Sequence, residues 1–262
     1  MDFAFVIIAA ALASGLTMFS GFGLGTLLLP VFALFLPVDI AVAATALVHG
    51  ANNVLKAGLL GRLADRRIVL RFGIPAIAAA LGGVWVLSLL SSRPELWHGT
   101  ILGLTAVVTP LKLAMALLMT AFAIIELHPR FEKLEIHARW LPFGGVLSGF
   151  FGGLSGHQGA LRSAFLAKVG ISKESFVGTN AVIGLLVDLV RIPAYGALLF
   201  GDHLADMATT RDGALVAAGA LAAFAGVLIG KKFLHKITMT TVQRITGALL
   251  LLIALLLGLG LI

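Results

Sequence analysis

Residues 14–55 read SGLTMFSGFGLGTLLLPVFALFLPVDIAVAATALVHGANNVL, and residues 148–189 read SGFFGGLSGHQGALRSAFLAKVGISKESFVGTNAVIGLLVDL. The second stretch repeats the first at a constant offset of 134, from 14 to 148, without a gap. Ser14-Gly15 falls on Ser148-Gly149, Gly25 on Gly159, Leu27 on Leu161 and Ala33 on Ala167. Thr45 falls on Thr179, Val48 on Val182, Gly50 on Gly184 and Leu55 on Leu189. Chains rich in Gly, Ala and Leu match themselves by chance, so identity alone carries little. The context carries more. Both stretches open on a Gly-rich break inside a long apolar run, and the next helix follows at the same distance. A duplicated membrane unit with broken helices is the usual build of a secondary transporter.

Composition points the same way. Of 262 residues, 60% are hydrophobic and 12% charged, and the mean hydropathy is +1.07. Soluble domains do not look like this. The apolar runs are long enough for a bilayer core of about 30 Å, which takes roughly 20 helical residues. The chain has no cysteine, which excludes disulfides, thiolate catalysis and Cys-ligated metals. The first apolar run lacks a basic leader and continues to about Leu36, so it does not read as a cleavable signal peptide. The net charge of +7 suits basic loops on the cytoplasmic face better than nucleic acid.

The expected fold is all-α: a polytopic transmembrane bundle of two inverted repeats, each a Gly-broken hairpin plus three crossings. The repeats span residues 1–128 and 140–262, joined by a polar linker at 129–139 within one membrane domain. Apolar run A covers about 3–36, followed by helices B (39–61), C (69–90) and D (110–127). Run A′ covers about 140–168, followed by B′ (175–200), C′ (212–230) and D′ (240–262). Residues 97–109 are too short for a crossing and read as an interfacial or partly buried segment.

Loop charge sets the orientation, because Lys and Arg mark the cytoplasmic side. Arg62, Arg66, Arg67 and Arg71 place the B–C loop inside. Arg130, Lys133 and Arg139 do the same for the linker, and Lys231, Lys232 and Lys236 for the C′–D′ loop. The B′–C′ loop carries Asp202, Asp206 and Asp212 against Arg211 and reads as outside. It is the repeat-mate of the basic B–C loop, so the halves are oppositely oriented and both termini lie outside. Run A′ then enters and leaves on the inner side, as a hairpin turning at its glycines. A rival reading makes A′ one long crossing and 97–109 another, at the cost of a 13-residue span and a basic linker outside.

Non-helical backbone at membrane depth is tolerated only where protein or a water-filled cavity satisfies it. A half-helix that starts after a Gly-rich turn aims free N–H groups and a positive dipole end at the protein centre, which suits an anion. Gly23, Gly25, Gly156 and Gly159 let backbone approach such a ligand. Arg162, four residues into the second half-helix, supplies charge or snorkels to the interface. His157, Gln158, Asn52, Asn53 and Asn180 are its hydrogen-bonding companions. His49, Asn53 and Lys56 share one face of helix B, and Asn180, Asp188 and Arg191 one face of B′. Asp188 with Arg191 is either a structural ion pair or a coupling site. Burial disfavours a charged carboxylate, so Asp188 is the first candidate to carry a coupling proton. His49 is the second, since a free imidazole titrates at about 6.5. No zinc-binding His pair, nucleophile elbow or phosphate-binding loop is present, so no enzyme activity, metal or cofactor is expected.

The two breaks, the helix starts Ala41-Val42-Ala43-Ala44-Thr45 and Phe176-Val177-Gly178-Thr179-Asn180, and the basic loop from Gly61-Arg62 to Arg66-Arg67 resemble the TauE/SafE sulfite-exporter family, also called the toluene-sulfonate uptake permeases. The resemblance covers essentially the whole chain. It implies a multi-pass transporter of the bacterial inner membrane that moves sulfite, sulfonates or related sulfur-containing anions, coupled to protons. The family's Gly-x-Gly-Gly-Gly break reads Gly21-Phe22-Gly23-Leu24-Gly25 here and Gly153-Leu154-Ser155-Gly156-His157-Gln158-Gly159 in the second half. Its following proline is Pro30 in the first half, whereas Ala164 stands there in the second, just after Arg162-Ser163. These departures favour a more polar site weighted to the second half. The expected partners are the small anion and the lipid bilayer, with no nucleic acid and with a homodimer left open. The residues also admit a passive anion or water channel, and a membrane enzyme or assembly factor without flux.

Overall fold

The structure is a computed structural model that describes residues 2–17, 24–128, 137–166, 169–200, 210–233 and 239–262. Ten helices make up almost all of the described chain, as the all-α expectation requires. They are α1 (Asp2–Thr17), α2 (Leu24–Ala33), α3 (Val38–Leu60), α4 (Arg66–Ser91) and α5 (Pro110–Leu127) in the first half. The second half has α6 (Leu141–Ser155), α7 (Gln158–Leu166), α8 (Lys173–Tyr195), α9 (Arg211–Phe233) and α10 (Met239–Gly258). Among the described residues, four apolar helices are long enough to cross a bilayer: Val38–Leu63, Arg66–Ser91, Lys173–Leu199 and Arg211–Ile229.

Local chemistry sets the helix starts. Thr109 accepts from the backbone N–H of Lys112 at 3.1 Å, and Pro110 occupies the first turn of α5. Ser172 caps α8 in the same way, accepting from the N–H of Ser175 at 3.1 Å. Asp65 caps α4 at Ile68 N, 3.0 Å, while its own N–H donates to Thr179 Oγ1 at 2.9 Å. That last bond ties the basic loop of the first half to α8.

Run A′ is broken where its glycines are. Gly156, at φ +79°, ends α6 in the left-handed region, and α7 begins two residues later. Gly144 packs on the Phe165 ring and Gly152 on Gln158 Cβ, so the two arms are antiparallel and form a hairpin. In run A, α1 ends at Thr17 and α2 begins at Leu24. Gly21 and Gly23 lie between them, outside the described residues, as do Arg130, Lys133, Asp202, Asp206 and Lys236.

Among the described residues, strands occur only within 97–109. Trp97–Ile101 and Leu104–Val108 form an antiparallel hairpin, with Trp97 opposite Val108 and Ile101 opposite Leu104. Leu102 and Gly103 make a two-residue loop with positive φ at both, as the twist of a tight hairpin demands. The β-branched Thr100, Ile101, Thr105, Val107 and Val108 explain the extended form.

Helix pairing is symmetric between the halves. Gly50 packs beside Asp188, Gly184 beside Asn53 and Gly178 on the carbonyl of Leu60, so repeat-mates α3 and α8 are antiparallel. Leu127 meets Gly247 and Ala116 meets Gly258, so α5 and α10 are antiparallel too. By contrast α4 runs parallel to α6, with Gly145, Gly149 and Gly153 set on the carbonyls of Phe72, Ala76 and Ala80. Similarly α1 runs parallel to α9, through Val6 with Gly219 and Ala11 with Gly226. Exchanging the halves maps this set of pairings onto itself.

The burial pattern is that of a membrane protein. Leu12, Ile74, Trp85, Leu117, Leu221 and Leu255 face outward. His49, Asn53, Lys56, Gln158, Arg162, Asp188 and Arg191 are buried. Ionisable groups inside an apolar membrane bundle are where a functional site is sought first.

Candidate functional site

The site forms where α3, α8 and the second hairpin meet. Helical spacing puts His49 and Asn53 one turn apart on α3, and Gln158 and Arg162 one turn apart on α7. On α8, Asn180, Gly184, Asp188 and Arg191 follow one face. The small residues make room. A Cβ at Gly184 would sit 2.6 Å from Asn53 Nδ2 and 3.2 Å from both terminal nitrogens of Arg162. One at Gly50 would lie 3.4 Å from Asp188 Cβ.

Asp188 is the hub. Its Oδ2 lies 2.7 Å from His49 Nδ1 and accepts from Asn53 Nδ2 at 2.9 Å. Its Oδ1 accepts from Arg191 Nε at 2.8 Å and from Gln158 Nε2 at 3.1 Å. Arg191 reaches onward to donate from Nη1 to the carbonyl of Gly152, and Tyr195 Oη donates to Gly153 O at 2.5 Å. A cation and a hydroxyl thus cover the last carbonyls of α6, at the negative end of that helix.

Arg162 stands differently. Its Nε donates to Asn180 Oδ1 at 2.8 Å, and its Nη1 to Gln158 Oε1 at 3.1 Å. Both partners are neutral amides. Among the described residues no carboxylate pairs with it, although it is only 2% exposed. Lys56 is buried within electrostatic range of the same guanidinium. Of the two buried guanidinium groups, Arg191 is paired with the buried carboxylate and Arg162 is not. A desolvated cation without an ionic partner is costly unless an anion visits it.

Of the residues singled out in the sequence, His49, Asn53, Gln158, Arg162, Asn180, Asp188 and Arg191 gather in this network. Gly25 and Gly156 meet between the two hairpins: a Cβ at Gly25 would be 2.7 Å from Gly156 O. Gly159 is buried in α7. Asn52 lies off the network, on the neighbouring face of α3, where it accepts from Ser14 Oγ at 2.8 Å. His157 also turns away. Its Nδ1 is 3.0 Å from Ser155 Oγ, and its ring stacks on Phe122 of α5 with centroids 4.8 Å apart. Gly23 lies outside the described residues. Tyr195 was not among the expected residues. Its spacing of four from Arg191 and seven from Asp188 on one helix is the signal that could have found it. Ser148, whose Oγ donates to Gln158 O at 2.9 Å, was equally legible as the mate of Ser14. No cluster of three metal-binding side chains occurs among the described residues.

The profile of the family described as Sulfite exporter TauE/SafE matches residues 6–257. No curated protein and no solved structure matches the chain.

Proposed function

The chain belongs to the sulfite exporter TauE/SafE family of membrane transporters, and from that premise we propose that it moves a small sulfur-containing oxyanion, sulfite, a sulfonate or a similar ion, across a bacterial inner membrane with proton coupling. The observation that carries the reading is Arg162: buried, held by two neutral amides and free of any carboxylate among the described residues. The guanidinium fork suits an oxyanion's geometry. Asn53 and Asn180 border the same space, and the first turn of α7 directs its backbone N–H groups toward the hairpin tip.

The proton resides on the His49–Asp188 pair, which titrates as a unit. A proton on the pair adds positive charge beside Arg162 and favours the anion, and by linkage the anion favours the proton. The antiparallel packing of repeat-mates α3 with α8 and α5 with α10 supports an inverted repeat whose site lies between the hairpins. The test is sulfite flux in proteoliposomes with and without a pH gradient. Accumulation driven by the gradient is the expected result. Flux that only equilibrates would mean a channel, and absence of flux would sink the transporter reading.

A further inference from the structure

Gln158 is the one side chain among the described residues that bonds both Arg162 and Asp188. Its Oε1 accepts from Arg162 Nη1 at 3.1 Å, and its Nε2 donates to Asp188 Oδ1 at 3.1 Å. Nε2 is also 3.4 Å from His49 Nδ1. This amide orientation is fixed by the charges on either side. Reversed, it would set donors against the guanidinium and an acceptor against the carboxylate.

The backbone holds the amide in place. Gln158 opens α7, and its own carbonyl accepts from Ser148 Oγ at 2.9 Å. Gly152 opposite it leaves room, since a Cβ there would come within 2.8 Å of Gln158 Cβ. The Arg162 guanidinium lies against Gly184, one helical turn from Asp188 on the same face of α8. At that separation in a desolvated interior, opposite charges pull strongly together. A direct Arg162–Asp188 pair would leave no free cation for an anion, and would draw the carboxylate from His49 and Arg191.

We infer that Gln158 is a positioning residue that keeps Arg162 and Asp188 apart, so that one cation stays free for the anion while one carboxylate stays with His49 and Arg191. The inference rests on the anion reading of Arg162. It assigns the hairpin tip a specific task, because any movement of α7 moves the amide and so changes what the two charges meet. Lys56 from α3, near Arg162, and Tyr195 from α8, beyond Arg191, are further titratable groups beside the cluster, and His157, next to Gln158 in the chain, turns away onto Phe122.

The test uses the purified full chain, with sulfite as probe. Gln158→Met keeps the length and removes the amide, so Arg162 falls onto Asp188. Gln158→Glu puts a competing carboxylate on Arg162. Both should bind sulfite at least about tenfold more weakly than the wild type, within the usual range of coupling between sites. Adding Asp188→Asn together with Arg191→Gln to Gln158→Met removes the unwanted partner without stranding Arg191, and should restore much of the binding, which a merely structural role for Gln158 would not produce. Sulfite binding by Gln158→Met at the wild-type level overturns the inference, as does a triple variant without recovery. Ligand-free melting separates the spacer from the anion reading. Arg162→Gln should destabilise Gln158→Met more than it destabilises the wild type, because only the former contains the direct pair. Equal losses in the two backgrounds overturn the spacer whether or not sulfite binds. Unequal losses in a protein that binds no sulfite support the spacer and sink the anion reading.

Discussion

His49 Nδ1 lies 2.7 Å from the Asp188 carboxylate, and the two residues are 139 apart in sequence and come from opposite halves of the chain. The contact joins α3 to α8, the repeat-mates that cross at the protein centre. It is flanked by Asn53 on one side and Gln158 on the other. A titratable pair at the seam of the two halves can respond to both of them at once.

His49→Gln should abolish the response to a pH gradient. Glutamine can still donate to Asp188, but it cannot exchange a proton near neutral pH. The ratio of sulfite flux with the gradient to flux without it should fall to unity in proteoliposomes. A ratio as large as the wild type's would remove His49 from the coupling step.

Arg162→Ala should cost anion binding without preventing insertion and folding, because the cation it removes has no ionic partner in the ligand-free network. The loss in sulfite affinity should be roughly tenfold or more, in keeping with hydrogen bonds to charged groups at about 1.5–3 kcal/mol. Arg162→Lys should recover only part of it, since an ammonium lacks the bidentate fork. Thermal shift against sulfite reads both, and wild-type affinity in the alanine variant would leave Arg162 a structural residue.

Gly149→Ala should destabilise the bundle, because a Cβ there would strike the backbone of Ala76 where α4 and α6 run side by side. Backbone cannot yield as a side chain can, so the expected loss is about 1–3 kcal/mol, the usual cost of overpacking. Gly58→Ala is the control: nothing lies within 4 Å of that Cβ, and an alanine in the last turn of α3 should be neutral or stabilising. Melting temperatures of the two variants should move apart. Similar values would mean that the α4–α6 contact is looser than it looks.

Much of this was legible in the sequence for definite physical reasons. Ser148-Gly149 and Gly159 marked the second hairpin because broken helices need small residues. Asp188, Arg191 and His49 stood out because charge is rare in an apolar run. What sequence could not give was partnership across the fold. Asn52 and Asn53 are adjacent, yet a helix turns them by about 100° relative to each other. Only Asn53 therefore faces Asp188, while Asn52 bonds Ser14. His157 read as a ligand because it sits in the turn. Stacking on Phe122 of α5 takes it elsewhere, and no local pattern announces a contact between residues 122 and 157. Residues 97–109 were apolar but β-branched, and length alone ruled out a crossing without naming the hairpin.

Both termini should lie outside and residues 129–139 inside. The basic loop after α3 and the linker carry the Lys/Arg excess that orients membrane proteins, and the antiparallel packing of α3 with α8 and of α5 with α10 fits oppositely oriented halves. Reporter fusions at the C-terminus and at residue 134 give the answer directly. A cytoplasmic C-terminus with a cytoplasmic linker would break the inverted arrangement.

Asp188→Asn is the most demanding test of the network. The carboxylate takes bonds from Asn53, Gln158 and Arg191 and pairs with His49. Its loss leaves Arg191 buried without its counter-charge. Stranding a buried partner costs about 3–5 kcal/mol in soluble proteins, so the variant should express and fold poorly. Adding Arg191→Gln removes the stranded charge, and its amide can still donate to the Gly152 carbonyl that Arg191 covers. Expression and a sharp melting transition should then return, while gradient-driven flux should not, because the His49 pair is gone. Normal folding of Asp188→Asn together with intact pH-driven flux would refute both the ion pair and the coupling role.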